Sequence, residues 1–231
     1  MNIVKTYHKN LLQFKNKHKN EVAYIFGSGP SIKNFKKKED GIFIGGNNIL
    51  FHDNIRNNLT YYFTVHGFKE SSWKKVYKKG NPYDLNKLDK KIKVFCVVSR
   101  SNQLIDINKE DLKIMEEKDY QPIDIYNGIG NHTPNIESEP LMNSNVCITM
   151  TQFALYCGFK KIYLVGCDCT YCTTNIRNYF WSGLKTKKLL HKRVNHWNSL
   201  KNFKEKYYKD TNIININPIG LKGFFDGDIK T

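Results

Sequence analysis

Six short apolar runs, rich in β-branched and aromatic residues, recur along this chain, and three of them end directly in glycine. The runs are Val22–Phe26, Ile42–Ile44, Tyr61–Val65, Lys93–Val98, Ile162–Val165 and Ile213–Ile216. Runs of this length, bounded by glycine, asparagine and proline, predict β-strands. Loops that follow such strands are therefore the first places to look for a binding site.

Helix-like stretches lie between these runs. They are Asp106–Lys118, Ser144–Cys157 and His191–Tyr208, and the last carries Val194, Trp197, Leu200, Phe203 and Tyr207 on one apolar stripe. Strands that alternate with helices predict a parallel sheet covered on both faces. The predicted fold class is therefore α/β, with a Rossmann-like, mostly parallel sheet and helices on both faces.

The chain divides into a short basic leader and one domain. Residues 1–20 have a thin apolar stripe (Val4, Tyr7, Leu11, Phe14) and predict a basic helix that docks on the rest. Residues 21–231 contain no internal repeat and no linker, so they predict a single Rossmann-like nucleotide-binding domain. The stretch 127–145 is rich in asparagine, glycine and proline and predicts a long loop.

Composition limits the class of protein. With 231 residues, 40% apolar and 25% charged, the chain has a globular balance. No apolar run approaches the ~18 residues of a membrane span. The first 20 residues lack the apolar core of a secretory signal, which predicts a cytoplasmic protein.

The charge is strongly positive: 37 lysines and arginines face 21 acidic residues, a net charge of +16. Nucleic acid, anionic lipid and a phosphorylated substrate would each attract such a chain. Because lysine is spread over the whole sequence, much of this charge is expected to be solvated background. No specific nucleic-acid partner is predicted, whereas peripheral contact with an anionic membrane stays open.

Six cysteines do not form a disulfide framework, because most lie in or beside predicted core elements. Cys167, Cys169 and Cys172 form a C-x-C-x-x-C run, which invites a zinc interpretation. The run supplies too few ligands for a closed zinc site, and no second pair follows it. We therefore predict no metal.

The first glycine-rich loop, Gly27-Ser28-Gly29-Pro30-Ser31, follows the first strand. Its glycines would let a phosphate or base approach the backbone, and Pro30 can open a helix whose free N–H groups attract an anion. The loop is not a Walker A sequence, and Ile32 replaces the third glycine of a dinucleotide fingerprint. A plain strand–helix turn is the alternative.

Two further loops lie at the same predicted edge. Asn47 and Asn48 follow the second strand and could bind a base or ribose, although asparagine is also a turn former. Asp168 follows the fifth strand and opens a basic, aromatic segment that contains Tyr171 and Tyr179. That composition suits a segment that closes over a phosphorylated donor.

His191 stands near the start of the last predicted helix, which begins at the edge where the loops meet. The positive end of the helix, with two neighbouring cations, should lower the imidazole pKa, and a general base must be neutral. An exposed histidine at a helix start is the alternative. His196 is the rival and is expected to be a surface or packing residue.

Three stretches together resemble a known family. Residues 25–32 (IFGSGPSI), 43–51 around Asn47, and 158–168 (GFKKIYLVGCD) are similar to blocks of the bacterial lipooligosaccharide sialyltransferases of glycosyltransferase family 42. The stretch from His191 to Pro218 is similar to the helix and strand that carry their catalytic histidine. The Gly-x-Asp block also occurs in the related MptE-like proteins, which include a pterin pyrophosphokinase.

The resemblance implies roles for individual residues. Ser28, Ser31 and Asn47 would contact a cytidine nucleotide, and His191 would be the general base. Tyr171 and Tyr179 are the nearest counterparts of the family's phosphate-binding tyrosines, although the segment between Asp168 and His191 is shorter here. The predicted site is thus catalytic His191, Tyr171 and Tyr179, with Gly27, Ser28, Gly29, Ser31, Asn47 and Asp168 binding substrate.

The implied activity is transfer of a sialic-acid-like sugar from a nucleotide donor, CMP favoured, to a glycan hydroxyl. The partners would be a nucleotide sugar and a glycan acceptor, with no cofactor. Two alternatives remain: MptE-like pyrophosphoryl transfer, which would need Mg²⁺, and a non-catalytic basic binding domain.

Overall fold

A single large sheet organises the chain in the computed structural model, which describes residues 10–64, 85–100, 103–104, 113, 115–126, 132–139, 141–142, 145–169, 177–180, 182–185, 192–216, 219, 221 and 223–225. Within those residues the sheet has nine strands. They are β1 (Val22–Phe26), β2 (Ile42–Gly46), β3 (Leu59–Thr64), β4 (Lys93–Arg100), β5 (Gln103–Leu104), β6 (Gln121–Tyr126), β7 (Leu141–Met142), β8 (Lys161–Val165) and β11 (Asn212–Ile216). A separate antiparallel hairpin is formed by β9 (Arg177–Tyr179) and β10 (Ser182–Lys185).

The strands are ordered β11-β8-β1-β2-β3-β4-β6-β7, and every pair along this path is parallel. β5 alone pairs antiparallel, against the end of β4. The chain builds outward from β1 through β2, β3 and β4, and returns to the other side of β1 with β8. In such sheets the ligand crevice lies where the order reverses, at the carboxyl ends of the strands. Here that point is between β1 and β8.

Helices cover both faces of the sheet. One face is covered by α2 (Val146–Tyr156), α3 (Lys192–Tyr207) and a 3₁₀ helix over Asn10–Phe14, which share one buried apolar cluster. The opposite face is covered by short elements, among them the 3₁₀ helices Pro30–Asn34 and Asn47–Phe51 and the single-turn α1 (Asp53–Arg56). The predicted α/β class with helices on both faces is confirmed.

Both long helices start at the crevice edge. α2 ends at Tyr156 and is followed by β8 at Lys161, and α3 ends at Tyr207 and is followed by β11 at Asn212. Because these strands are parallel to β1, each helix must run back from the carboxyl edge to the opposite edge. The N-terminal ends of both helices, which carry partial positive charge, therefore lie at the crevice edge.

All six predicted strands are confirmed within two residues at each end. The predicted helix 144–157 corresponds to α2 and the predicted helix 191–208 to α3, whereas most of 106–118 lies outside the described residues. The long loop predicted over 127–145 is wrong in part. β7 lies within it and pairs with β6, and Ile136 is fully buried in the core.

The N-terminal segment packs into the core of the sheet from residue 10 onward; residues 1–9 lie outside the described residues. Where a helix over 1–20 was predicted, the structure has a 3₁₀ helix at Asn10–Phe14. The Phe14 ring packs between the rings of Phe95 (5.3 Å) and Phe153 (5.5 Å). His18 adds a polar tie, since its Nε2 lies 2.6 Å from the Tyr61 hydroxyl on β3.

Among the described residues, no helix combines the length and the apolar character that crossing a bilayer requires.

Candidate nucleotide-binding crevice

The loop after β1 crosses the end of β8 without space for side chains. The N–H of Gly27 donates to the Val165 carbonyl and that of Gly29 to the Gly166 carbonyl, both at 2.8 Å. A Cβ on Gly27 would lie 2.5 Å from the Gly166 oxygen, and one on Gly29 would overlap the Asp168 carboxylate. Gly166 itself has a φ of +65°, which favours glycine. These glycines are therefore explained by close backbone approach.

Asp168 holds the loop after β1 in place by hydrogen bonds. It is only 1% exposed, and its Oδ2 accepts the N–H of Ser31 at 2.8 Å while Oδ1 accepts the N–H of Ile219 at 3.2 Å. Burial raises the pKa of the carboxyl, and these hydrogen bonds oppose that rise. The geometry gives Asp168 a positioning role; its predicted contact with substrate stays a prediction.

The helix after Pro30 differs from the one expected. It is a 3₁₀ helix of five residues, Pro30–Asn34, and the N–H of Ser31 that sequence analysis offered to an anion is taken by Asp168. The expectation of free N–H groups is therefore wrong at Ser31. The positive helix ends at this edge come instead from α2 and α3.

The carboxyl ends of β2 and β3 place polar groups beside this loop. Asn47 has a left-handed backbone (φ +49°), and its carbonyl accepts from the Tyr62 hydroxyl at 2.9 Å. Asn48 is 5% exposed, and its Oδ1 has no hydrogen-bond partner among the described residues. The same holds for the hydroxyl of Thr64, the last residue of β3. Buried polar atoms are normally paired, so these two atoms have capacity for a further hydrogen bond at the crevice edge.

The first turn of α2 packs against the same loops. A Cβ on Gly46 would lie 2.6 Å from Cγ2 of Val146, and one on Gly27 would lie 2.9 Å from Sγ of Cys147. Asn145 caps this helix by accepting the N–H of Ile148 at 3.2 Å. The N-terminal end of α2 thus lies between the loops that follow β1 and β2, where it favours negative charge.

The β9–β10 hairpin contacts both loops. The N–H of Phe180, in its turn, donates to the Ser28 carbonyl at 3.0 Å, and the Phe180 ring lies 5.5 Å from the ring of His52. The hairpin therefore joins the loop after β1 to the segment after β2. Sequence analysis predicted a closing segment here but did not single out Phe180, His52 or Thr64. Of these three, only Thr64 could have been identified from the sequence, because it is a polar residue at the end of an apolar strand.

The predicted catalytic residues are described only in part. His191 and Tyr171 lie outside the described residues, as does the side chain of Tyr179, whose backbone belongs to β9. In sequence, His191 directly precedes Lys192, the first residue of α3. The roles of all three residues stay predictions.

His196 is partly buried beside a histidine that sequence analysis did not single out. His132 is 7% exposed, its Nδ1 lies 3.4 Å from Oε1 of Gln152, and its ring packs 5.1 Å from that of Phe203. Burial lowers the pKa of His132, and the neighbouring His196 adds to the effect. This environment agrees with a packing role for His196.

Among the described residues, no group of three or more histidine, cysteine or acidic side chains is arranged to hold a metal ion. Cys172 lies outside them, so the absence of zinc stays a prediction.

Comparison with solved structures shows the fold. The monofunctional α-2,3-sialyltransferase Cst-I from Campylobacter jejuni superposes with a TM-score of 0.53 at 16% identity, over 85% of this chain and 75% of that one. The sialyltransferase CstII from the same organism, in complex with the substrate analogue cytidine-5'-monophosphate, gives 0.53 at 19% identity, over 90% and 85%. A single-residue variant of CST-II in complex with CMP gives 0.53 at 17% identity, over 90% and 86%. The chain thus shares the α/β fold of these sialyltransferases.

No family model matches the sequence, and comparison with curated proteins gives no match.

Proposed function

We propose that this protein is a glycosyltransferase that moves a sialic-acid-like sugar from a nucleotide donor, with CMP favoured, to a glycan hydroxyl. The observation that carries the proposal is the crevice at the carboxyl ends of β1 and β2. There Oδ1 of Asn48, buried and without a partner among the described residues, follows the strand next to the glycine loop that the hairpin contacts. The shared fold supports it, because two of the neighbours named above bind CMP. The MptE-like alternative has no support from those neighbours.

The donor would lie between the Gly27–Ser31 loop and the end of β2. An amide oxygen accepts from the exocyclic amino group of cytosine or from a ribose hydroxyl, which matches the unpaired atom of Asn48. The phosphate would approach the N-terminal end of α2, where partial positive charge stabilises it.

Transfer would then proceed by displacement at the anomeric carbon. His191 would accept the proton of the acceptor hydroxyl as the new glycosidic bond forms and the bond from sugar to phosphate breaks. Tyr171 and Tyr179, with the cations of the hairpin segment, would stabilise the charge that develops on the departing phosphate. No cofactor is needed in this scheme.

Removal of the amide at the end of β2 should weaken donor binding. We expect Asn48→Ala to lower CMP affinity about tenfold, since an unpaired ligand group in a buried site costs about 1–3 kcal/mol. Asn47→Gly should have a similar effect, and glycine keeps the left-handed backbone at this position. Isothermal titration with CMP measures both.

The matched control is Asn58→Ala, at the opposite edge of the sheet, an exposed asparagine whose amide donates to the Asn54 carbonyl. It should bind CMP like the wild type. Equal affinity in all four proteins would remove the end of β2 from the site.

A thermal-shift panel of CMP, UDP, GDP and ATP identifies the base, since a ligand at a hundred times its Kd stabilises by about 2.7 kcal/mol.

As a second part of the proposal, we infer that the positively charged surface of the protein binds an anionic membrane. Lysines gather at the amino-terminal edge of the strands, away from the crevice. Seven of them are exposed and form no ion pair with a described residue: Lys17, Lys19, Lys36, Lys38, Lys90, Lys160 and Lys209. The acids at this edge are largely neutralised by other lysines, as in Lys161–Glu39 at 2.6 Å and Lys37–Asp40 at 2.7 Å.

This edge favours lipid over nucleic acid. The seven cations named above are lysines, which act as point charges, and the guanidinium of Arg56, at the same edge, is occupied by Asp53 and the Leu50 carbonyl. The exposed Leu12 lies on the same N-terminal segment as Lys17 and Lys19 and would enter a headgroup layer.

We therefore expect the protein to sediment with phosphatidylserine vesicles and to be released by salt. A variant with glutamine at Lys19, Lys36, Lys90 and Lys160 should lose most of this binding, because each lysine near the surface contributes about 1 kcal/mol. Glutamine at Lys33, in the 3₁₀ helix that follows the crevice loop, and at Lys201, exposed in the middle of α3, should leave it unchanged. Equal binding to neutral vesicles, or tighter binding to nucleic acid than to lipid, would contradict the assignment.

A further inference from the structure

Two thiols flank the end of β1, directly under the crevice. Cys167 follows Gly166 and is 3% exposed, and its Sγ lies 3.8 Å from the carbonyl oxygens of Ile25 and Val165. Cys147, in the first turn of α2, is partly exposed and packs against Gly27. Both thiols thus pack around Gly27, whose N–H donates to the same Val165 carbonyl that Cys167 approaches. Interaction with Cys147 and burial raise the pKa of Cys167.

We propose that Cys147 and Cys167 form an oxidative modification site, at which a peroxide converts the two thiols into a reversible disulfide. Cys147 is the more exposed of the two residues, so it reacts first. Cys167 is held in contact with it and is sheltered from the oxidant. An exposed cysteine next to a second, resolving cysteine is the arrangement that favours a disulfide over further oxidation.

The chemistry balances in two steps. The Cys147 sulfur attacks one peroxide oxygen, the O–O bond breaks, and a sulfenic acid and one water form. The Cys167 sulfur then attacks the sulfenic sulfur, its S–O bond breaks, and the S–S bond and a second water form. The two thiols lose two electrons and two protons, and the peroxide is reduced. A dithiol reverses the change by exchange.

Of the other three described cysteines, Cys169 is partly exposed and lies two residues after Cys167, so it is the rival for the bond, whereas Cys96 and Cys157 lie far from the pair. Cys96 lies in β4, three strands away from β1, and is 1% exposed. Cys157 follows the far end of α2, ten residues or about 15 Å along the helix from Cys147, and is fully buried. Neither can reach the pair, so both serve as controls.

The disulfide would change the shape of the nucleotide crevice, a consequence that rests on the proposed function. It would tie the first turn of α2 to the loop after β8. Val146 in that turn contacts Gly46, and Cys147 contacts Gly27, so a shift of the turn changes both loops that are proposed to hold the nucleotide. Oxidised protein should therefore bind CMP about tenfold more weakly.

The test treats reduced wild-type protein with hydrogen peroxide and maps its peptides. We expect a cross-link between the peptides that contain Cys147 and Cys167, reversed by dithiothreitol. Cys157→Ser should form it as the wild type does, whereas Cys147→Ser and Cys167→Ser should not. Three results in the wild-type protein would overturn the proposal: no cross-link between these peptides, a cross-link from Cys147 to another cysteine, or oxidation of Cys147 to sulfinic acid.

CMP titration before and after oxidation separates the two claims. Cross-linked protein that binds CMP as tightly as reduced protein would refute the effect on the crevice. Reduced protein that binds no CMP would count against the proposed function, while the cross-link still decides the thiol site by itself.

Discussion

Replacing His191 with alanine should lower kcat about 10²–10⁴-fold while CMP binding changes little, because a general base acts in the transition state and contributes about that much. His191 directly precedes α3, whose first residue is Lys192 and whose N-terminal end lies at the crevice edge. The measurement is steady-state kinetics with a defined donor and acceptor, together with CMP titration. The pH–rate profile of the variant should also lose its acidic limb.

His196→Ala is the matched control. His196 lies on α3, partly buried and near enough to the buried His132 to lower the pKa of that residue, so its loss should affect packing more than turnover. We expect it to retain most of kcat. Full turnover in His191→Ala would refute the mechanism and leave only the fold in common with the sialyltransferases.

Gly29→Ala should abolish CMP binding and destabilise the protein by about 1–3 kcal/mol, the usual cost of forcing a methyl group into a packed site. The new Cβ would lie 2.6 Å from the Gly166 oxygen and overlap the Asp168 carboxylate. To make room, the loop must move away and break the bond from the Ser31 N–H to Asp168. Urea denaturation and CMP titration measure the two effects.

Gly41→Ala separates stability from binding. Its Cβ would lie 2.9 Å from the Val22 oxygen, a similar overlap at the opposite edge of the sheet. This variant should lose stability but keep CMP affinity for the molecules that remain folded. If Gly29→Ala binds CMP as well as Gly41→Ala does, the loop after β1 is not part of the nucleotide site.

The strands that the sequence predicted well are the apolar ones. β1 matches its prediction residue for residue, because four of its five residues are fully buried and the run is apolar throughout. β6 was missed, since Gln121, Pro122 and Asp124 interrupt its apolar pattern. β7 has only two residues, and a strand that short leaves no periodicity to detect. Tertiary pairing, not local propensity, makes these two segments strands.

The site was predicted less completely than the fold. The loops at the carboxyl ends of β1 and β2 follow from the topology rule, so they could be placed from the sequence. The hydrogen bond between Asp168 and Ser31 could not be predicted, because the two residues are 137 positions apart and no local sequence pattern indicates the contact. The hairpin contact of Phe180 with Ser28 is long-range in the same sense.

Because β1 pairs with β8, one edge of β1 stays unpaired during much of the synthesis of the chain. Residues 22–26 leave the ribosome early and can pair with β2 at once, but their other edge waits for residues 161–165. At about 5–20 residues per second, synthesis leaves the interior strand of the future sheet with an open, apolar edge for several seconds. An uncovered edge of this kind recruits other strands. We therefore expect co-expression of a ribosome-associated chaperone to raise the yield of folded protein, because it would cover this edge until residues 161–165 emerge.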